Sequence, residues 1–210
     1  MTQDVERPLT EAQQGHRHLE RLVMLSDGVF AIAITLSAIE IKPETGGEGS
    51  LWQAWSLPLL VYFLSFFLIG LIWLVHRRIM AWLSHIDGPG TLINMVLLSL
   101  VALVPVVVRF ALTYPQREGA FLVYALGFSV LYLGLAVLWG YLAFVARLAV
   151  HASRSAALQL LAKLCFAVAV FLGVAMFQLG WMVGAVLCVL LALPLRWLAW
   201  RHGREAATGS

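Results

Sequence analysis

Charged residues are scarce in this chain: Asp, Glu, Lys and Arg make up 12% of its 210 residues, whereas a soluble domain has about 25%. Hydrophobic residues make up 61%, and a chain of this size has too little interior to shield so much apolar surface from water. The imbalance excludes a soluble enzyme, a disordered protein and a fibrous protein. It predicts an all-α integral membrane protein with lipid against much of its surface.

Reactive and metal-binding patterns are also missing. The two cysteines, Cys165 and Cys188, lie in apolar stretches and form neither a disulfide framework nor a metal-site pattern. No cluster of His, Asp or Glu has metal spacing, and no serine nucleophile motif has a His at matching depth. We therefore expect no enzyme activity and no cofactor. The net charge of +3 is better explained by membrane topology than by nucleic-acid binding.

Two well-known channel features are absent as well. The chain has no Thr-Val-Gly-Tyr-Gly segment, which excludes a potassium channel with the usual carbonyl filter. No span has Arg at every third position, which excludes a voltage sensor.

Six apolar spans follow one another, each long enough to cross a bilayer as a helix of about 20 residues. The first four are Leu22–Ile41, Leu57–His76, Thr91–Leu112 and Ala120–Ala146. The last run, Ala156–Leu195, is 40 residues long, so it predicts two helices with a tight turn near Gln178–Gly180. We divide the chain into an N-terminal segment (1–20), a six-helix transmembrane domain (21–200) and a C-terminal tail (201–210).

The basic residues predict how these spans are oriented. With the N-terminus inside, 11 of the 14 Lys and Arg residues fall on inner segments and 3 on outer ones. The positive-inside rule then places both termini in the cytoplasm. That placement requires an even number of spans, which supports dividing the last run into two helices.

The first span contains Asp27, the only acidic residue well inside a span boundary, and an acid at such a position is a functional candidate. Asp27 and Ser26 lie one to two turns above the predicted inner end. Trp73 and His76 share a face in the last turns of the second span, and Asn94 lies in the first turn of the third. Because neighbouring spans alternate in direction, all five side chains are expected in the cytoplasmic third of the membrane.

A buried carboxylate needs hydrogen-bond donors. Arg21, Trp73, His76 and Asn94 are the donors expected for Asp27 at that depth. We interpret the group as a polar lock that holds the first helix against the second and third. Two alternatives stay open: Asp27 reaches water at the inner mouth, or His76 and Asp27 form a proton relay.

The first span also has a narrow apolar stripe with one hydroxyl group. At 100° per residue, Gly28, Ile32, Thr35 and Ile39 fall within an arc of about 60°. Asp27 lies about 100° from this stripe, and Ser26 lies nearly opposite it. We expect the second face to direct Ser26 and Asp27 into the rest of the subunit.

The segment Arg21-x-x-x-Leu25-Ser26-Asp27, followed by Gly28-Val-Phe-Ala-Ile-Ala-Ile-Thr35-Leu36, resembles the Arg-x-x-x-Phe-Ser-Asp motif of the transmembrane protein 175 family. Leu25 replaces the Phe of that motif. The resemblance extends to Trp73-x-x-His76 in the second span and to Asn94 with Pro105 in the third. Members of this family are potassium channels of endosomes and lysosomes, with a shorter prokaryotic branch.

The resemblance implies a homotetramer in a prokaryotic cell membrane, with six helices per subunit and helix one lining a central pore. It also implies that Ile32, Thr35 and Ile39 face this pore, since they are five, eight and twelve residues after the Asp of the motif. Rings of Ile32 and Ile39 would then be hydrophobic constrictions. A Thr35 ring would offer hydroxyl oxygens to a passing K⁺, and Glu40 would attract cations at the outer end.

Other interpretations remain open at this point. Ile32 and Ile39 would face lipid or the core in one of them, with Thr35 bonded to the Ala31 carbonyl. For the whole protein, the alternatives to a channel are a small secondary cation transporter and a non-conducting oligomeric scaffold. The partners expected from the channel interpretation are further copies of the chain, membrane lipid and monovalent cations.

Overall fold

A computed structural model of the chain describes residues 11–39, 41, 50–114 and 119–208. Six α-helices account for most of these residues: α1 Glu11–Ile39, α2 Leu51–Ala81, α3 Gly88–Thr113, α4 Ala120–Gly140, α5 Arg154–Gln178 and α6 Met182–Thr208. Each helical region is long and apolar enough to cross a membrane. The prediction of an all-α fold with six helices of membrane-spanning length is therefore confirmed for the described residues.

The turn between α5 and α6 explains how 40 apolar residues divide into two helices. The backbone N–H of Gly180 donates to the Phe177 carbonyl (3.0 Å), and that of Trp181 donates to the Met176 carbonyl (2.9 Å). Gly180 has a φ of +74°, which a residue without a Cβ adopts at little cost. These features are a Schellman motif, which satisfies the last carbonyls of α5 and allows α6 to begin at Met182.

Several helices extend beyond the apolar spans that indicated them. α1 begins within the predicted N-terminal segment, α2 begins six residues before Leu57, and α6 continues through most of the predicted tail. Hydropathy reports which residues fit the hydrocarbon layer, whereas a helix ends only where its backbone hydrogen bonds are capped or broken. The predicted boundaries at residues 20 and 200 therefore do not coincide with helix ends.

α3 begins at a well-defined N-cap. The Asp87 carboxylate accepts a hydrogen bond from the backbone N–H of Gly90 (2.9 Å), and Pro89 stands at the second helical position, where its missing N–H has no effect. α4 ends in a π-helical turn, Tyr141–Val145. The Tyr141 hydroxyl in this turn donates to Asp87, so the start of α3 is joined to the end of α4.

The helices pack in two neighbouring groups. α1 contacts both α2 and α3, while α4 lies between α3 and α5, and α6 packs along α5. Aromatic rings join α4 to α5, since Phe171 stacks on Phe128 and Tyr132 with ring centres 5.3 and 5.7 Å apart. This arrangement leaves one long face of α1 without cover from the described part of its own chain.

Candidate functional site

Three buried polar side chains form a hydrogen-bonded chain across α1, α2 and α3. Asn94 on α3 donates from its amide nitrogen to Ser26 Oγ on α1 (3.1 Å). The amide oxygen of Asn94 lies 2.7 Å from His76 Nε2 on α2. All three residues are buried, with Ser26 and Asn94 at 0% exposure. The structure therefore brings these predicted residues together at one depth.

The directions of these bonds are determined by the chemistry of the groups. Because the Asn94 nitrogen faces Ser26, its oxygen faces His76, and a carbonyl oxygen only accepts hydrogen bonds. His76 therefore has its proton on Nε2 and donates to Asn94. The Ser26 hydroxyl in turn donates to the Leu22 carbonyl (2.8 Å). The Ser26 hydroxyl, both polar atoms of the Asn94 amide and His76 Nε2 thus all have partners, as a low-dielectric interior favours.

Asp27 lies beside the hydrogen-bonded group of Ser26, Asn94 and His76 and is not part of it. The Trp73 indole N–H donates to Asp27 Oδ1 (2.7 Å), and the Arg77 guanidinium lies 5.3 Å from the centre of the Trp73 ring. Asp27 is exposed in the single chain, in contrast to the buried Ser26 next to it. Asp27 therefore contacts α2 of its own subunit, as expected, but it does so at the exposed edge of α1 and is not buried.

The expected set of donors for Asp27 also needs correction. His76 and Asn94 bond to each other and to Ser26, and of the four expected donors Trp73 is the one bonded to Asp27. Arg21 is exposed and is not among the groups that bond to Asp27 within the described ranges. A helical wheel separates the faces of one helix but does not identify which neighbouring side chain lies against each face. The sequence therefore predicted one shared contact for Ser26 and Asp27, whereas the structure has two adjacent ones.

The predicted stripe of α1 lies on the uncovered face. Ile32 is 58% exposed and Ile39 is 73% exposed, and Thr35 between them is exposed too. The described buried residues of the same helix lie on the opposite side: Leu19, Leu22, Ser26, Phe30, Ala33 and Ser37. The face that packs within the subunit is therefore about 180° from the stripe, at helical spacing.

Thr35 bonds to its own helix. Its hydroxyl donates to the Ile32 carbonyl (2.9 Å), one residue from the Ala31 carbonyl named in the alternative interpretation. Because the proton is directed inward along the helix, the oxygen lone pairs remain available to accept from outside. Glu40, proposed to attract cations, lies outside the described residues.

Some polar contacts near this site were not predicted. His18 Nε2 lies 3.1 Å from Thr91 Oγ1, which joins α1 to α3 nearer the start of both helices than the bond between Ser26 and Asn94 does. Asp87 caps α3 and bonds to Tyr141, as described above. The cap had a sequence signal in Asp87-Gly-Pro89, an acidic residue followed by a proline suited to the first helical turn. Nothing in the sequence indicated that Tyr141 would reach it.

Comparison with known proteins identifies relatives of this part of the chain. Residues 21–105 match the family model described as endosomal/lysosomal potassium channel TMEM175. A Streptomyces collinus protein named as a potassium channel is 33% identical over 130 residues, which are 58% of this chain and 63% of that protein. A Chamaesiphon minutus protein named as a potassium channel is 38% identical over 115 residues, or 50% and 56% of the two chains.

The endosomal/lysosomal proton channel TMEM175 of Gallus gallus is 31% identical over 111 residues, which are 47% of this chain and 22% of that protein. The chain thus spans less than two thirds of the length of each of these relatives. No solved structure matches it. All three relatives are named as channels and not as enzymes. The part of the chain that is similar to the TMEM175 family model, residues 21–105, therefore contains the buried polar residues and the exposed stripe of α1.

Proposed function

We propose that this chain is one subunit of a potassium-permeable cation channel, in which four copies place α1 around a central pore. K⁺ crosses passively as the permeant ion, and no cofactor takes part. The observation that supports this most directly is the uncovered face of α1, where two large apolar residues and one hydroxyl lie opposite the buried side of the helix. The names of the relatives point in the same direction.

In this proposal the gate consists of apolar side chains. Rings of Ile32 and Ile39, about 10 Å apart along the helix axis, form constrictions that lose water when they are narrow and so block ions. Small rotations or tilts of α1 widen the rings and admit water. The Thr35 ring lies between them and offers hydroxyl oxygens that replace part of the hydration shell of K⁺. With so few fixed dipoles, selectivity for K⁺ over Na⁺ is modest.

The polar residues behind α1 act as a lock in the same proposal. The bonds of Ser26 with Asn94 and of Asp27 with Trp73 hold the inner part of α1 against α3 and α2. They set the rotation of the helix and thereby direct Ile32 and Ile39 toward the pore. A proton relay between His76 and Asp27 is disfavoured, since His76 bonds to Asn94 and Asp27 bonds to Trp73.

We further propose that the channel lies in a prokaryotic cell membrane with both termini in the cytoplasm. The support is the distribution of basic residues, 11 of 14 on the segments assigned to the inside. Cysteine variants at the two ends of the chain, tested with an impermeant thiol reagent in intact cells, would report this orientation. Labelling of either end from outside would contradict it.

Cation flux through liposomes tests the function. Purified wild-type chain, Ile32→Asn and Ile39→Asn are reconstituted, and K⁺ flux is compared with that of Na⁺ and Cs⁺. We expect both variants to conduct more K⁺ than wild type, because the amide side chains hydrate the constrictions. Leu103→Asn is a matched control, since Leu103 is exposed to 55% on α3, outside the proposed pore.

Unchanged K⁺ flux in both Ile variants would contradict the pore assignment. Bilayer recordings separate the remaining classes: unitary current steps support a channel, and saturable flux with fixed stoichiometric coupling would indicate a transporter instead. A complete lack of flux in all variants would indicate a non-conducting scaffold.

A further inference from the structure

A basic cavity of about 720 Å³ lies between α5 and α6, and all of its described lining residues are on these two helices. It is at the end of the bundle where α5 begins and α6 ends. Three cationic side chains line it, together with three aromatic ones: Lys163, Arg196, Arg204, Phe166, Trp197 and Trp200. Lining of this kind, positive and aromatic at once, suits a ligand with an anionic group next to an apolar part.

The described lining of the cavity carries positive charge on two helices. It has three cationic side chains, and none of its described residues is acidic. From Gly119 to Arg204 the sequence has six Lys and Arg residues and no Asp or Glu, and Glu205 follows directly. An anion entering between the helices would therefore meet Lys163 of α5 and Arg196 of α6 together.

Two of the cations are held by aromatic rings. The Arg204 guanidinium lies 4.8 Å from the centre of the Trp200 ring, and that of Arg196 lies 5.8 Å from the Phe166 ring. A guanidinium stacked on a ring is oriented but keeps N–H groups at its edge, which suits the geometry of a phosphate. The stacking of Arg196 on Phe166 therefore orients its guanidinium in a way that suits a phosphate-bearing ligand.

Lys163 indicates how deep the ligand sits. It lies about 13 Å along α5 from the start of the helix, within an apolar stretch, and its ammonium is most stable near the headgroup layer. Beyond it, the stripe of α5 that contains Lys163 and Phe166 continues to Val170, and that of α6 continues from Leu193 back to Val189. Val170 and Val189 are 41% and 58% exposed, so the cavity opens onto an apolar surface.

From this arrangement we propose that the cavity between α5 and α6 binds the headgroup of an anionic phospholipid. The phosphate lies among Lys163, Arg196 and Arg204, while the acyl chains follow the apolar surface past Val170 and Val189. Trp197 and Trp200 lie at the level of the glycerol groups, where tryptophan is favoured at membrane interfaces. The proposal does not depend on the channel function, because none of the described residues that line the cavity belongs to α1, α2 or α3.

Native mass spectrometry of the full-length chain in mild detergent tests this site. Phosphatidylglycerol and phosphatidylcholine are titrated separately, and wild type is expected to bind phosphatidylglycerol more tightly. Lys163→Gln and Arg196→Gln should each weaken phosphatidylglycerol binding about fivefold, and the double variant about 25-fold, from the usual contribution of a basic residue near anionic lipid. Phosphatidylcholine binding should not change.

Arg78→Gln is the matched control. Arg78 is also a guanidinium stacked on an indole, 4.8 Å from the Trp82 ring, but it is on α2 away from the cavity, so its loss should change binding less than about twofold. Equal binding of the two lipids by wild type would overturn the proposal, even if a variant failed to fold. Undiminished phosphatidylglycerol binding by the double variant would do so too. Displacement of the lipid by millimolar inorganic phosphate would show a general anion site instead.

Discussion

The two halves of this molecule hold their helices together by different means. In α1–α3, side-chain hydrogen bonds cross between helices, from Trp73 to Asp27 and from His76 through Asn94 to Ser26. In α4–α6, a hydrogen bond from the Trp139 indole to the Ala157 carbonyl joins α4 to α5 (2.9 Å), but most of the described contacts are packing. Phe171 stacks on Phe128, and a Cβ at Gly173 would lie 3.1 Å from the Cβ of Cys188. The match to the TMEM175 family model lies in the first half.

The difference matters because lipid is as apolar as a leucine side chain. Apolar packing in a membrane therefore specifies helix position only through shape. Directed hydrogen bonds have one satisfied geometry, so they determine both the rotation and the height of a helix. α1 thus has a defined rotation in the subunit, whereas α5 and α6 depend on small residues that let their backbones approach.

Removal of Asn94 should have the largest effect on this contrast. Asn94→Ala breaks two interhelical bonds and leaves the His76 N–H buried without its acceptor, so we expect the free energy of unfolding to fall by about 2–3 kcal/mol. Unfolding in mixed micelles measures it. Ser99→Ala on the same helix removes an exposed hydroxyl bonded to the Val96 carbonyl and should have little effect. Equal stability of both variants would contradict a specific role for the first-half bonds.

The stability of α4–α6 should depend on the size of the side chains where α5 and α6 are in contact. Gly173→Val places methyl groups against Cys188 across the α5–α6 contact, and overpacking of this kind should lower the free energy of unfolding by about 1–2 kcal/mol. Gly70→Val on α2 is the control, because a Cβ at Gly70 meets nothing within 4 Å. The same unfolding assay applies. If Gly70→Val were as destabilising as Gly173→Val, helix propensity and not packing would explain the loss.

A double-mutant cycle on Asp27 and Trp73 sharpens the comparison at one bond. Asp27→Ala and Trp73→Phe each remove one partner, and we expect a coupling energy of about 0.5–1.5 kcal/mol. The phenylalanine ring retains most of the packing, so the cycle isolates the N–H bond. Strictly additive effects in thermal unfolding would show that the 2.7 Å contact contributes nothing to stability.

The smallest effect is expected at Ser65, and it has the opposite sign. Among the described residues, the Ser65 hydroxyl on α2 is buried without a hydrogen-bond partner. Ser65→Ala removes this unpaired group and should raise the free energy of unfolding by up to about 1 kcal/mol. A clear loss of stability would show that the hydroxyl has a partner, such as a buried water or a neighbouring subunit.

Properties that depend on composition and period could be predicted from the sequence. The charge distribution required an even number of spans, and the turn at Gly180 divides the last run as expected. The 100° repeat of a helix separated Ile32 and Ile39 from Ser26, and the structure places them on opposite faces. The number of spans follows from composition along the sequence, and the separation of faces follows from one helix considered by itself.

Properties that depend on the contact between two helices could be predicted less well from the sequence. The angular position of Asp27 on α1 did not show that Trp73 would bond to it at an exposed edge. Nor did it show that Ser26 would bond to the buried Asn94. The cavity on α5 and α6 was missed for a related reason. Lys163 and Arg196 are 33 residues apart in the sequence. Both residues contributed to the predicted orientation of the spans, which does not indicate that they line the same cavity.

The buried hydrogen bond between Ser26 and Asn94 also defines the point about which α1 can tilt. Ile32 lies about 9 Å above Ser26 along the helix and Ile39 about 20 Å above it, at 1.5 Å per residue. Any tilt that keeps the bond to Asn94 intact pivots near Ser26 and displaces Ile39 about twice as far as Ile32. This pivot point is near the inner end of α1, so a tilt produces its largest displacements at the outer end of the helix.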